Sequence, residues 1–477
     1  MLRQQLYIAG SWRDGVRVME VRSPWDDALV GTFAVASVDD VSDAIASAHD
    51  ALRRGLAPHL RAGVLDRLVE VIGRRAEEFS EVLSEEAGKP ITAARGEVQR
   101  ALTTFRLSAD EARRLPGEAV QLDGFAVGEG MLALTVPEPL GVVAAITPFN
   151  FPLNLVAHKV GPAIAAGCPI VLKPSERTPL TAGLLVEALE EAGLPAGWIN
   201  LVTGDPREIV PVLQQDDRVA VLTFTGSAEV GWQLKAGSPK KHHVLELGSN
   251  TGMVVDRDAD LGLAVTAALG AAYGYAGQAC VSLQRLFVHE GVVDEFIARF
   301  AVAVKALKVG DPRDEQTVVG PLITKAATER VQRWLADAVG EGAQIVAGGA
   351  IRDGVLEPTA ITRVKESSPL LCDEVFGPVV TIVPVSDVRE GIRQLNLSRF
   401  GLNTAIFTND LANALGFARS AESGSVLINI APSFRADQMP YGGVKDSGQG
   451  REGVKYAVSA LVAPKLVVFG PTGSDAL

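Results

Sequence analysis

The residues of this chain able to do chemistry lie in a few short stretches. In "YAGQACVSLQR", Tyr275 to Arg285, Cys280 ends a long apolar run that begins near Leu261. Cysteine in such a run is usually inert packing. Here it is framed by Gly277, Gln278 and the small Ala279, where a helix would be expected to continue. Small neighbours leave room for a ligand to reach the sulfur, which would allow a nucleophilic thiol. In "VLELG", Glu246 sits inside an apolar strand. Buried without a partner, it must hold its proton or cost several kcal/mol, and a carboxyl with a raised pKa suits a general base. If the strand shows that face to water, it is an ordinary surface acid. Lys173 and Glu176, close together in "KPSE", read as a solvated ion pair or as ligand contacts. "FTGSAEVG" places Gly226, Ser227 and Gly231 at a strand-to-helix turn, where free backbone N–H groups would face a phosphate. It is neither G-x-G-x-x-G nor a G-K-[ST] loop, so taken alone it is equally a plain turn. Cys168 precedes "PIVL" and reads as strand packing, while Cys372 adjoins Asp373 and Glu374, whose charge disfavours a thiolate. "KKHH" at 240–243 reads as a solvated turn, and with no H-E-x-x-H or Cys/His cluster in the chain no metal is expected.

The elements that must position these residues follow from hydrophobic periodicity. "LYIAGSW" with "RDG" reads as a short hairpin. From Val38 to Glu86 apolar residues recur at helical steps. From Gly141 onward apolar runs alternate with helical patterns: "GVVAAIT", "LNLVAHKVGPAIAAG", "CPIVLKPS", "LTAGLLVEALEEAG", "INLVTG", "EIVPVLQQ", "VAVLTFTGS", "AEVGWQLKAGS" and "HHVLELGS". Such alternation means a parallel sheet covered by helices on both faces, an α/β fold. A helix over 260–279, "RLFVHE", "DEFIARFAVAVKAL", "TKAATERVQRWLADAVGEG", "AQIVAGG", "PVVTIVPV", "NTAIFTND", "LANALGFARS" and "GSVLIN" form a second α/β series. "EAVQLDGFAVGEGMLALTVPEP" and "ALVAPKLVVFG" belong to neither series and read as outlying strands that invite pairing with another chain. The tail "PTGSDAL" is expected to fray.

Composition narrows the function classes. The chain has 477 residues, 47% hydrophobic and 21% charged, which suits two or three domains with ample core. Its net charge of −12 and lack of a basic stripe argue against nucleic acid. Three cysteines make no disulfide framework and fit a reducing cytoplasm, and the N-terminus shows no signal-peptide core. The uncharged stretch Leu261–Leu283 is rich in alanine and glycine rather than leucine, so a buried helix is preferred to a membrane span.

Taken in order, "TPFNFPL", "KPSE", "FTGS", "LELG", "GQAC", "EVFGP" and "PYGGVKDSGQGREG" resemble the aldehyde dehydrogenase superfamily over almost the whole chain. The resemblance is nearest to the branch holding lactaldehyde, phosphonoaldehyde and non-phosphorylating glyceraldehyde-3-phosphate dehydrogenases. It implies a Rossmann-like NAD-binding domain over 1–117 and 138–247 and a second α/β catalytic domain over 248–458. It also implies a β oligomerisation element over 118–137 and 459–477, hence a homodimer or homotetramer. By the same resemblance Cys280 is the nucleophile, and the Asn150 amide with the Cys280 N–H holds the oxyanion. Glu246 then activates the water that hydrolyses the thioester. The implied cofactor set is Thr147, Phe149, Lys173, Ser175, Glu176, Gly226, Ser227, Val230, Leu247, Glu374 and Phe376. Within it, Glu374 and Phe376 serve the nicotinamide ribose, Lys173 and Glu176 the adenosine ribose, and Gly226 with Ser227 the pyrophosphate. Glu176 would repel a 2′-phosphate, so NAD is expected over NADP, with NADP possible because Lys173 is near. The helix is expected to break at Gly277–Gln278 so that Cys280 stands in a loop.

The family pattern also brings Arg106, His158 and Arg435 to the substrate entrance. An arginine fork suits phosphate, phosphonate or carboxylate, so a small polar aldehyde with an anionic group is expected. Ala279 stands where family members acting on phosphorylated aldehydes often carry arginine, which keeps a lactaldehyde-type hydroxyaldehyde as the second reading. A CoA-acylating semialdehyde dehydrogenase is disfavoured by Glu246, and a silent scaffold by the joint presence of Cys280, Asn150, Glu246 and Glu374.

Overall fold

The computed structural model describes residues 2–470; the tail expected to fray lies outside them. The first sheet has eight strands in the spatial order Gly448–Gln449, His242–Glu246, Val219–Thr225, Val142–Ile146, Ile170–Lys173, Ile199–Leu201, Leu6–Ile8 and Ser11–Arg13. The five strands from His242–Glu246 to Ile199–Leu201 run parallel, and the outer ones pair antiparallel. All five inner strands are apolar and largely buried, and a separate hydrophobic core packs on each face of the sheet, as the unbroken apolar runs require. The N-terminal hairpin Leu6–Ile8/Ser11–Arg13 forms its edge.

The second sheet has seven strands: Gln344–Ala347, Thr359–Thr362, Val379–Val385, Leu283–His289, Thr251–Val255, Asn403–Phe407 and Ser425–Ile428. Only the first of these is antiparallel to its neighbour. Thr251–Val255 and Thr359–Thr362 were not separated as strands by the sequence pattern. Each is a five- or four-residue run with a glycine or threonines, too short for a periodicity signal. The helical stretch 38–86 resolves into Val38–Arg54, Pro58–Arg74 and Ala76–Ala87. The first is closed by Ser37, whose hydroxyl accepts from the Asp40 N–H while the Asp40 carboxylate accepts from the Ser37 N–H.

One expectation needs correction. The helix over 260–279 stops at Tyr273, well before Gly277–Gln278. Beyond it, Tyr275 and Ala276 take left-handed backbone angles, φ 50° and 53°, a conformation that costs an L-residue roughly 1–2 kcal/mol and so ends the helix. Gly277 follows at φ +72°, where any side chain would meet the Gly377 carbonyl. The last part of the chain returns to the first sheet. Gly448–Gln449 adds to the first sheet beside His242–Glu246, and helix Val454–Ala460 buries Val454 and Val458 in the first sheet's core. The chain therefore carries residues 441–452 back over the carboxyl end of Glu246's strand.

The outlying strands pair with each other. Leu132–Pro139 and Val462–Phe469 form an eight-residue antiparallel ladder, with Ala119–Val120 on its other edge. This sheet leaves Leu132, Leu466, Val468 and Phe469 exposed. Among the described residues no helix is long and apolar enough to cross a membrane, and no group of His, Cys, Asp or Glu side chains is placed to hold a metal ion.

Candidate active site

In the first sheet the chain moves outward from Val142–Ile146 to Ile199–Leu201, then returns to lay Val219–Thr225 on the opposite side of Val142–Ile146. Strand order reverses between those two, and the carboxyl ends on either side of such a switch leave a crevice for a ligand. The loops after these strands and the next one, Pro148–Asn150, Gly226–Ser227 and Leu247–Gly248, line a cavity of about 250 Å³. Cys280, Glu374 and Phe376 complete it from the second sheet's side. Nine of the sequence-derived residues thus converge on one space: Phe149, Asn150, Gly226, Ser227, Glu246, Leu247, Cys280, Glu374 and Phe376. A larger cavity of about 610 Å³, bordered by Glu176 and Arg177, contains neither Cys280 nor Glu246.

Cys280 is partly exposed on the cavity floor, and its sulfur lies 3.0 Å from the Tyr441 hydroxyl. Burial pushes the thiol up to about 11, against the pull of Tyr441 and Arg435. The Cys280 N–H makes no hydrogen bond among the described residues. Asn150 donates its side-chain N–H to the Gln278 carbonyl at 2.9 Å, so its amide lies against the loop that carries Cys280.

Glu246 is buried, and neither carboxyl oxygen has a hydrogen-bond partner. Burial holds its pKa well above the usual carboxylate range; negative Glu452 adds to the rise, and Arg435, Lys159 and Arg451 oppose it. The surface-acid reading of Glu246 therefore fails. Glu452 lies behind it. It accepts from Lys159 at 3.2 Å and from Arg435 at 2.8 Å, and despite its burial these cations pull it down to about 2. The Arg435 guanidinium also stacks 3.7 Å from the Tyr441 ring centroid. His158 is fully buried, with Nε2 at 2.9 Å from Asp437 and Nδ1 unpartnered. Burial first, then Arg435, lowers its pKa.

Arg106 does not join this group. It lies on the water-facing stripe of helix Ile91–Arg114 with Gln99, Thr103 and Asp110. Arg100, on a different face of the same helix, forks onto Asp437 at 2.7 and 3.3 Å. Arg100, Lys159, Tyr441, Arg451 and Glu452 were all missed from sequence. Lys159 alone carried a signal, as a lysine inside the apolar helix "NLVAHKVGPAIAA".

The cofactor candidates fall in two groups. Around the cavity, Ser227 caps helix Ala228–Gly237, accepting from the Val230 N–H, while Val230 itself is exposed on the first turn. Gly231 lets that helix approach Leu247, since a Cβ would fall 2.3 Å from its side chain. Thr225 and Thr147 keep buried hydroxyls without partners. Glu374 accepts from the Ser249 N–H at 2.9 Å, yet burial raises it to about 7. Phe376, at a left-handed φ of 46°, meets Phe149 edge-on with centroids 5.8 Å apart. At the next strand end, buried Lys173 donates to half-exposed Glu176 at 3.2 Å, and Ser175 accepts from the Arg177 N–H. An open helix N-terminus, orphaned hydroxyls and a carboxylate facing one crevice fit a dinucleotide.

The model of the aldehyde dehydrogenase family matches residues 12–467. A 3-sulfolactaldehyde dehydrogenase of Priestia aryabhattai is 43% identical over 465 residues, 97% of each chain. The solved structure of aldehyde dehydrogenase 21 from Physcomitrella patens, in complex with the product succinate, superposes with TM-score 0.96 at 38% identity over 99% of each chain. That of an NADP-dependent glyceraldehyde-3-phosphate dehydrogenase from Bacillus halodurans, complexed with NADP, gives TM-score 0.96 at 33% identity, covering 99% of this chain and all of that one.

Proposed function

This chain belongs to the aldehyde dehydrogenase family and is an oxidoreductase acting on aldehydes, and from that we propose that it oxidises a small acid-bearing aldehyde to the carboxylic acid through a cysteine thioester. The observation that carries this reading is the convergence of Cys280, Asn150, Glu246 and Glu374 on one cavity at the sheet's switch point. The Cys280 sulfur adds to the aldehyde carbon, and the oxyanion settles on the Asn150 amide and the Cys280 N–H. Ser227, Phe149 and Glu374 would hold NAD(P), which would accept the hydride. The Cys280 thioester that remains is hydrolysed by water whose proton passes to Glu246. A buried carboxyl without hydrogen-bond partners is poised for that role, because nothing competes for its lone pairs.

The charge around the site supports an anionic substrate. Arg100, Lys159, Arg435 and Arg451 surround Glu246, Asp437 and Glu452. The four cations outnumber the three carboxylates, and the surplus attracts an anion. The succinate-bound neighbour and the sulfolactaldehyde-oxidising relative are consistent with this. Sulfolactaldehyde and succinic semialdehyde are the first substrates to test, lactaldehyde the second reading. NAD is proposed over NADP because half-exposed Glu176 would face a 2′-phosphate.

The deciding experiment measures kcat/KM with NAD and with NADP for sulfonate- and carboxylate-bearing aldehydes and for neutral ones of equal length, at low and high salt. Anionic aldehydes should win, and their advantage should shrink with salt while neutral substrates are unaffected. A preference for neutral long-chain or aromatic aldehydes would remove the anionic reading. Strict dependence of turnover on CoA would remove the hydrolytic one.

A further inference from the structure

We propose that Lys89 is a positioning residue for this reaction, its buried ammonium clamping the loop that carries Asn150 against the loop that carries Cys280. The inference rests on the roles proposed above for those two residues. Lys89 is 1% exposed and is ion-paired with equally buried Glu97. Its ammonium lies 3.8 Å from the Phe151 ring centroid and 4.5 Å from that of Tyr275. Phe151 directly follows Asn150, and Tyr275 begins the left-handed turn that leads to Cys280. The two rings meet edge-on with centroids 6.4 Å apart, so the cation closes the seam between the two loops.

Each side of the clamp is anchored. The second oxygen of Glu97 accepts from the N–H groups of Leu153 and Asn154 at 2.9 and 3.0 Å, fixing the far end of the Asn150 loop. The Tyr275 hydroxyl donates to the Ala87 carbonyl at 2.9 Å, and the Lys89 carbonyl accepts from Ser84, which ties Lys89 to helix Ala76–Ala87. A left-handed Tyr275 and Ala276 persist only where their surroundings hold them. Across the same seam the Asn150 amide donates to the Gln278 carbonyl, using the group proposed to hold the oxyanion. The second N–H of that amide stays free for an oxyanion. The aromatic–cation sandwich keeps the loops in register without spending the catalytic amide, and a desolvated ammonium between two rings is well suited to it.

The test is the double variant Lys89→Met/Glu97→Gln, which removes both charges together and strands neither in the interior. Expected is a kcat about 10- to 100-fold lower, the loss that a displacement near 1 Å produces, with the aldehyde KM within about threefold of wild type. Single-turnover formation of reduced cofactor should slow by the same factor, and cofactor affinity should not change. Tyr275→Leu, which leaves the ion pair intact, should show the same split more weakly, and it decides the question if the double variant does not fold. A folded variant with single-turnover rate and kcat within about twofold of wild type overturns the proposal. So does a loss confined to KM, or a kcat loss without a matching single-turnover loss. Cys280→Ala separates the two levels: residual turnover there defeats the proposed mechanism itself, whereas an inactive Cys280→Ala beside unimpaired Lys89 variants defeats only the clamp.

Discussion

Replacing Tyr441 with phenylalanine isolates one hydrogen bond at the reactive sulfur. Burial holds the Tyr441 phenol well above its usual pKa, so its hydroxyl keeps its proton and donates across the 3.0 Å gap whenever Cys280 ionises. With the thiol raised to about 11, the thiolate is a minor form at neutral pH whose population rises about tenfold per pH unit. A hydrogen bond to a charged acceptor is worth roughly 1.5–3 kcal/mol, or about one to two pKa units. Tyr441→Phe should therefore lower the thiolate population, and the rate of Cys280 alkylation by iodoacetamide, by about 10- to 100-fold at any pH below the plateau. The Arg435 stack on the ring survives the change, so packing and the nearest cation are kept. The assay follows alkylation of the Cys280 peptide by mass spectrometry from pH 7 to 10, apart from exposed Cys372 and buried Cys168. A rate in Tyr441→Phe equal to or above wild type throughout would refute the assignment of Tyr441 as the thiolate's donor.

Three further outcomes are expected. Glu246→Gln should keep a burst of reduced cofactor while steady-state turnover falls by about 10²–10⁴-fold; wild-type turnover should climb with pH as the raised Glu246 loses its proton, and the variant's should not, an unimpaired steady-state rate being the contrary result. Glu374 is raised from 4.5 to about 7 by burial, so its favourable contribution to folding is complete below its unfolded pKa and is lost as pH rises through 7. Glu374→Gln lacks that loss, and its stability relative to wild type should rise by up to about 3 kcal/mol between pH 5 and pH 8 in denaturant titrations, a pH-independent difference contradicting this. Leu466 and Phe469, 55% and 53% exposed on the outlying sheet, are proposed to be covered by a second copy of the chain. Leu466→Asp/Phe469→Asp should then shift sedimentation toward the monomer, whereas a wild type already monomeric at micromolar concentration would show that this face is not an interface.

The loops Pro148–Asn150 and Gly226–Ser227 could be read from sequence because each follows an apolar strand. A run such as "VAVLTFTGS" states both the strand and the loop that follows it, and a parallel sheet fixes where those loops gather. The Cys280 loop was legible in outline, as small residues after an apolar helix. The point of the break was not, because Tyr275 and Ala276 are ordinary residues made left-handed by their surroundings. Arg106 shows a related limit. Family order brought its helix to the entrance, but the side a helical residue faces turns by 100° per position, and Arg100 rather than Arg106 meets Asp437.

The two buried carboxylates show what only three dimensions decide. Glu246 and Glu452 are equally enclosed, 3% and 1% exposed, so burial pushes both upward. Glu452 accepts from Lys159, 293 residues away in sequence, and from Arg435, and it is drawn down to about 2. Glu246 receives no hydrogen bond and faces the negative charge so created, which adds to its rise. Two like acids in one pocket are thereby driven apart, one held as an anion and the other raised, the separation on which the proposed acid–base chemistry rests. The split depends on where two cations point, and neither "VLELG" nor "GREG" contains that information. If it is correct, Glu452→Gln should draw the pH dependence of wild-type steady-state turnover toward lower pH, because the charge that raises Glu246 is gone, and an unshifted profile in a folded variant would show that the two carboxylates are not coupled.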